Sequence, residues 1–164
     1  MAFWNQQRML GVGDRAPEFE LPDLVGAKRT LGEILARGPA LLALFKVSCP
    51  VCQYTFPFLE RLHQGAKPGA VQIVGISQDK ADATTEFCRE YGVTFTTLLD
   101  DPARYPVSNA FAISNVPSLF LIEPDGTVSI SQSGFSKRDL EAVGDRAGVA
   151  PFRQDERVPE SRPG

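Results

Sequence analysis

Apolar residues along this chain recur in two rhythms. Ala40 to Phe45 is a short, unbroken apolar run, which predicts a strand covered on both faces. Val71 to Ile76 predicts a second buried strand and Thr94 to Leu99 a third. Between them the period lengthens. Phe56, Leu59 and Leu62 mark the buried side of a helix running to about His63, broken by Gly65 to Gly69. Asp82 to Tyr91 is amphipathic, with Phe87 and Tyr91 at i and i+4 and Gly92 where a C-cap would sit.

The remaining elements follow from their punctuation. Ala16 to Leu21 alternates around Pro17 and suits a short edge strand. Thr30 and Glu33 form a capping-box pattern at the head of a short helix ended by Gly38-Pro39. Ala103 to Phe111 holds a short helix delayed by Pro106. Ser118 to Ile122 and Thr127 to Ser131 flank Glu123-Pro124-Asp125-Gly126, a hairpin turn. Ser136 caps a last helix through Arg146, and Gly148 terminates it. Helices between buried strands imply a largely parallel sheet covered on both faces, closed by an antiparallel pair: a single α/β domain with a central mixed sheet. Residues 1–10 read as a polar lead-in, 11–149 as the domain. Residues 150–164, rich in Pro, Arg and Glu, are expected to be a disordered tail.

Composition narrows the function. A chain of 164 residues with 43% hydrophobic and 23% charged residues fits one soluble core. The net charge of -3 gives no basic face for nucleic acid, and no apolar run is long enough to cross a bilayer. No membrane or nucleic-acid partner is therefore expected. Met1 to Gly13 has no apolar signal core, so a cytoplasmic location is expected, or a periplasmic one if an export signal has been removed.

Three cysteines are too few for a disulfide scaffold. Two of them stand as Cys49-Pro50-Val51-Cys52, after one apolar run and before a helix. Pro50 fits the first helical position, which puts Cys49 at the N-cap and Cys52 at the third helical residue. Unpaired N–H groups and the helix dipole there favour thiolate over thiol. The spacing brings both sulfurs to one corner, so one can attack a substrate disulfide and the other can resolve the product. The plainer readings are a pair of core cysteines or half a zinc site. Zinc wants four ligands, and the remaining candidates are Cys88 and His63. His63 lies roughly 16 Å along the helix from Cys52, and Cys88 fits a small core hydrophobe. No metal and no cofactor are expected. Gly11-Val12-Gly13 precedes no phosphate-binding turn.

With these blocks in place the chain resembles the redoxin group of the thioredoxin superfamily (AhpC/TSA and TlpA/ResA-like proteins). The resemblance runs through Gly13 to Asp23, Phe45 to Pro57, Asn115 to Ile122 and Asp125-Gly126 in order, spanning residues 11 to about 148. It implies a thioredoxin-like fold and a thiol-disulfide oxidoreductase with catalytic Cys49 and Cys52. It also implies a helix-kinking proline at Pro57 and a cis-proline at Pro117 beside the dithiol. The backbone of Val116 would then pair with an extended substrate segment. The implied partners are a disulfide-containing protein or a small disulfide, and a thiol electron donor.

The chain departs from its likeness in three places. Ala43 stands where thioredoxins carry a buried Asp, Thr55 where ResA-like reductases carry a Glu, and Ser48 where Trp is common. Two alternatives stay open. A peroxiredoxin-like peroxidase would use Cys52 as its reactive thiol, with Cys49 replacing the usual hydroxyl; the arginine expected near Pro117 is missing, the next being Arg138. A non-enzymatic binding module or Cu(I) carrier would hold its ion on the two sulfurs, without a histidine in the C-terminal half.

Overall fold

The computed structural model describes residues 8–164. The expected Ala40 run is the central strand of the molecule. It forms β3 (Ala40–Phe45) within a five-stranded sheet. A small antiparallel pair precedes it, β1 (Glu20–Pro22) and β2 (Lys28–Thr30), followed by α1 (Leu31–Leu35). The Thr30 hydroxyl accepts from the Glu33 N–H, so the capping expectation holds on its N-cap side.

After β3 come α2 (Pro50–Gly65), β4 (Gln72–Ser77), α3 (Ala81–Tyr91), β5 (Thr96–Leu99) and α4 (Pro106–Ala110). Then come β6 (Ser118–Ile122), β7 (Val128–Ser133), β8 (Phe135–Ser136), α5 (Lys137–Ala147) and β9 (Ser161–Arg162). The sheet order is β5-β4-β3-β6-β7, with β3, β4 and β5 parallel and β6 and β7 antiparallel to their neighbours.

Two apolar clusters sandwich this sheet, and β3 feeds both. Leu41, Ala43 and Phe45 point into a cluster with Phe56, Leu59, Leu62, Phe87 and Leu140, from α2, α3 and α5. Ala40, Leu42 and Leu44 point the other way, onto Leu31, Ile34, Val107 and Phe111. That double coverage is why the run is continuous rather than alternating. The register also gathers one end of the sheet. Phe45 pairs with Ser77, Ser77 with Leu99, and Leu44 with Ser118. The loops leaving β3, β4 and β5 therefore meet the loop entering β6, at the carboxyl ends of the parallel strands, where open α/β sheets place their sites.

The lead-in expected over residues 1–10 is described only from Arg8 onward; residues 1–7 lie outside the described residues. Met9 and Leu10 pack against the second cluster, and Ser131 donates its hydroxyl to the Leu10 carbonyl.

The expectation of a disordered tail over 150–164 is corrected. That segment is packed along the α2/α5 face. Phe152 stacks edge-on against Phe58 and Phe135, and Val158 packs on the same cluster. Arg61 holds the Glu156 carboxylate through both guanidinium ends and donates to the Pro151 carbonyl. Lys137 N–H donates to the Glu160 carbonyl, and β9 pairs with β8. The polar composition misled because a few apolar residues, an ion pair and closely packed glycines are enough to hold a short segment. Gly144, inside α5, shows the fit: a β-carbon there would lie 2.5 Å from the Val149 carbonyl oxygen and 2.8 Å from Pro151 Cδ.

Two predictions follow from this packing. In an ordinary helix interior Gly→Ala gains about 1 kcal/mol, but here the added methyl meets backbone, and overpacking costs about 1–3 kcal/mol. Gly144→Ala is expected to destabilise the protein in urea unfolding, reversing the usual sign. Second, the Arg61 guanidinium and the Arg153 N–H hold the Glu156 carboxyl at about 2, below its ordinary value. A depressed carboxyl stabilises the folded form above its unfolded value of about 4.3, and that contribution is lost as pH falls toward about 2. Amide protection factors over 151–160 should fall in that window, and Glu156→Gln should flatten the response.

Candidate functional site

Cys49 is the N-cap of α2, with extended backbone, and Pro50 opens the helix. The local sequence dictates this. Phe45 ends a strand pinned on both sides, and the turn through Lys46 closes with Cys49 N–H donating to the Lys46 carbonyl. Val47 is fixed above it, its N–H donating to Asp79 and its carbonyl accepting from the Gln53 amide. The Cys52 N–H donates to Cys49 Sγ at 3.1 Å. The Cys52 backbone N–H and the positive end of a 16-residue helix thus face the Cys49 sulfur.

The two thiols differ sharply. Both are free. Cys49 is half-buried and lines an open groove. Cys52 has no exposed surface, and burial first, then the neighbouring Cys49, push its thiol far up, holding it neutral. Ala43, the departure noted in the sequence, sits in β3 between Gly75 and Leu119, within the apolar cluster that contains Cys52. Thr55 is buried and spends its hydroxyl on the Val51 carbonyl.

The Val116–Pro117 bond is cis, and Pro117 is buried immediately before β6. Because β6 runs beside β3, the Val116 carbonyl lies 3.4 Å from Cys49 Sγ, which donates to it as a thiol. Cys49, Cys52, Val116 and Pro117 therefore converge. Pro57 lies inside α2, one and a half turns beyond Cys52 and away from the groove lining. His63 is exposed on the far part of α2, against the Phe95 ring. Cys88 is half-buried, 3.9 Å from the Thr97 hydroxyl. Among the described residues no three His, Cys, Asp or Glu side chains are grouped to hold a metal ion, and no helix is long and apolar enough to cross a membrane.

Sequence reasoning missed the wall opposite Val116. The groove beside Cys49 encloses about 510 Å³, and Lys46, Gln78, Tyr105, Asn109 and Gly164 help line it. Tyr105 adopts φ 49°, in the left-handed region. It is held there from beneath: the buried Asp100 carboxylate accepts from the Val107 and Ser108 N–H groups and the Ser108 hydroxyl, and Gln78 donates to that hydroxyl. The Lys46 ammonium stands 5.7 Å over the Tyr105 ring. The one sequence signal was Asp100-Asp101-Pro102 with Pro106, which marks a loop without saying that it faces the dithiol.

The difference in exposure makes a prediction. Iodoacetamide at pH 8 should modify Cys49 faster than Cys52 by roughly a hundredfold, since the thiolate is the reacting species and access controls the rest. Peptide mapping after timed quenching measures the ratio, and equal rates would contradict the described burial.

Comparison with known proteins matches this architecture. The AhpC/TSA family model matches residues 12–131. The chain is 28% identical over 141 residues to thiol-disulfide oxidoreductase ResA of Geobacillus kaustophilus (strain HTA426), covering 85% of this chain and 79% of that one. It is 31% identical over 128 residues to thiol-disulfide oxidoreductase ResA of Bacillus subtilis (strain 168), covering 77% and 70%. Among solved structures, a putative thiol:disulfide interchange protein DsbE from Chlorobium tepidum superposes with a TM-score of 0.73 at 26% identity, over 84% of this chain and 95% of that one. With a thioredoxin-like sheet, a dithiol at the head of α2 and a match spanning most of its length, the chain belongs to the AhpC/TSA family.

Proposed function

We propose that Cys49 and Cys52 carry out dithiol–disulfide exchange, with Cys49 as the attacking sulfur and Cys52 as the resolving one. The chain is a thiol-disulfide oxidoreductase, in keeping with relatives of that name. The observation that carries the assignment of roles is the asymmetry of the pair: one sulfur is in the groove with a backbone donor, the other is fully buried and held protonated.

The steps balance. The Cys49 thiolate attacks one sulfur of a substrate disulfide, forming a mixed disulfide and expelling the other substrate sulfur as a thiolate, which takes a proton from water. Cys52 attacks Cys49 Sγ, its proton passing through water to the departing substrate sulfur. The Cys49–Cys52 disulfide forms and the second substrate thiol leaves. Two electrons have passed from protein to substrate, and an external thiol donor returns them. Thiolate attack through a mixed disulfide is the general course of such exchange. The neutral state of Cys52 keeps it from competing for substrate, and contact with Cys49 makes it the nearest nucleophile once the mixed disulfide exists.

The substrate side is supported by the Val116 edge. A carbonyl 3.4 Å from the reactive sulfur and a cis-proline behind it give an extended chain a backbone to pair with. A disulfide-containing protein or a small disulfide fits this groove.

The peroxidase reading needs Cys52 as an accessible thiolate, and its burial argues against that. As a test, Cys49→Ser should abolish reduction of insulin disulfides, while Cys52→Ser should accumulate a covalent adduct at Cys49 that dithiothreitol releases, seen by intact mass. Hydrogen peroxide consumption that persists in Cys49→Ser and vanishes in Cys52→Ser would replace this reading with the peroxidase.

A further inference from the structure

Residues 160–164 lie against the very backbone that substrate would use. After Phe152 and Glu156 anchor it, the segment turns through Glu160 and lies antiparallel to β8, with Ser161 opposite Ser136 and Arg162 opposite Phe135. The Arg162 guanidinium covers the Tyr54 ring at 4.7 Å, two residues beyond Cys52 in α2. Tyr54 in turn packs edge-on against Phe58 and Phe135.

Two glycines permit the approach. Gly134 has φ 75°, and a β-carbon there would overlap the Arg162 carbonyl and lie 2.9 Å from the Gly164 nitrogen. A β-carbon on Gly164 would overlap the Val116 carbonyl oxygen and lie 2.9 Å from its carbon. Gly164 is also part of the groove lining with Cys49, and Gly134 N–H donates to the Pro117 carbonyl. The strap and the substrate-side loop are therefore packed backbone to backbone.

We propose that residues 160–164 form a strap that sets substrate size: it covers the Val116 edge while leaving the Tyr105 side of the groove open. This rests on the exchange chemistry proposed above. A small disulfide reaches Cys49 from the open side with the strap in place. A protein segment, which needs the Val116 backbone for pairing, engages only after the strap has lifted.

The hold is suited to lifting. The β8–β9 pairing spans two residues, and Ser161, Pro163 and Gly164 are exposed. Short, exposed ladders open at low free energy relative to the core. The anchors at Phe152 and Arg61 lie upstream, so the strap can leave while the rest of the tail stays docked. Because a strap that must move first reduces the population competent for protein substrate, loosening it should raise apparent efficiency toward that substrate alone.

The test is the single variant Arg162→Ala, which removes the contact with Tyr54, leaves the Arg61–Glu156 anchor intact and keeps every residue of the dithiol site. Amide exchange over 158–164 reports the strap, and a thermal melt reports the fold. Reduction of insulin and of 2-hydroxyethyl disulfide is then compared with the unmodified protein. The expected result is faster exchange of the strap, an increase of about fivefold or more in kcat/KM for insulin, and a change within about twofold for hydroxyethyl disulfide. Three outcomes overturn the proposal: a strap that stays protected in the variant, a released strap with an unchanged ratio of the two efficiencies, or equal gains on both substrates. Gly134→Ala, which sets a methyl where the Arg162 carbonyl lies, gives an independent release and must shift the ratio in the same direction. Failure of the unmodified protein to reduce either disulfide would instead refute the exchange chemistry itself.

Discussion

One hydrogen bond organises the site: the Cys52 N–H to Cys49 Sγ, at 3.1 Å, across the first turn of α2. It exists because the helix begins at Pro50 and because β3, gripped by β4 on one side and β6 on the other, delivers the chain to that point without slack. A strand with both faces buried cannot slip by one residue without turning its side chains to the wrong cluster. The start of α2 is therefore fixed relative to β6, and so the distance between Cys49 and the cis Val116–Pro117 bond is fixed too.

The same turn separates the chemistry of two identical side chains. At the N-cap a sulfur faces the groove and accepts from the Cys52 N–H; three residues later a sulfur lies in the core, in the cluster that holds Phe45 and Phe56. Apolar surroundings keep the inner thiol neutral, while the outer one faces the groove, and the proposed division of roles rests on that difference. With Ala43 apolar and the Thr55 hydroxyl committed to Val51, neither departure position supplies a carboxylate beneath Cys52.

Elements whose cause is local were legible in the sequence. Thr30 and Ser136 as helix caps, Gly92 and Gly148 as left-handed stops, and Cys49 at the head of α2 each rest on a few adjacent residues. What stayed hidden depends on distant partners. Tyr105 holds a left-handed conformation because Asp100 and Gln78 brace the loop behind it, and nothing in the order Arg104-Tyr105-Pro106 announces that support. The tail was read from composition as disordered, yet Phe152, Val158 and Glu156 each find a partner on α2 or its neighbours. Composition measures how much a segment can bury on its own; it does not register a surface already shaped to receive it.

The glycines make that last point physical. Gly65 lies in α2, Gly144 in α5 and Gly134 between β7 and β8, and each would clash with the segment from Val149 onward if it bore a side chain: with Val149, with Val149 and Pro151, and with Arg162. A tail that merely rested on the domain would tolerate a methyl at such places. Here the close approaches run from Gly65 at the foot of α2 to Gly134 beside Pro117, so the track begins at the base of the domain and finishes at the active groove. Residues 150–164 therefore follow a track that the domain's own backbone has left room for, and its last stretch lies beside the Val116–Pro117 loop.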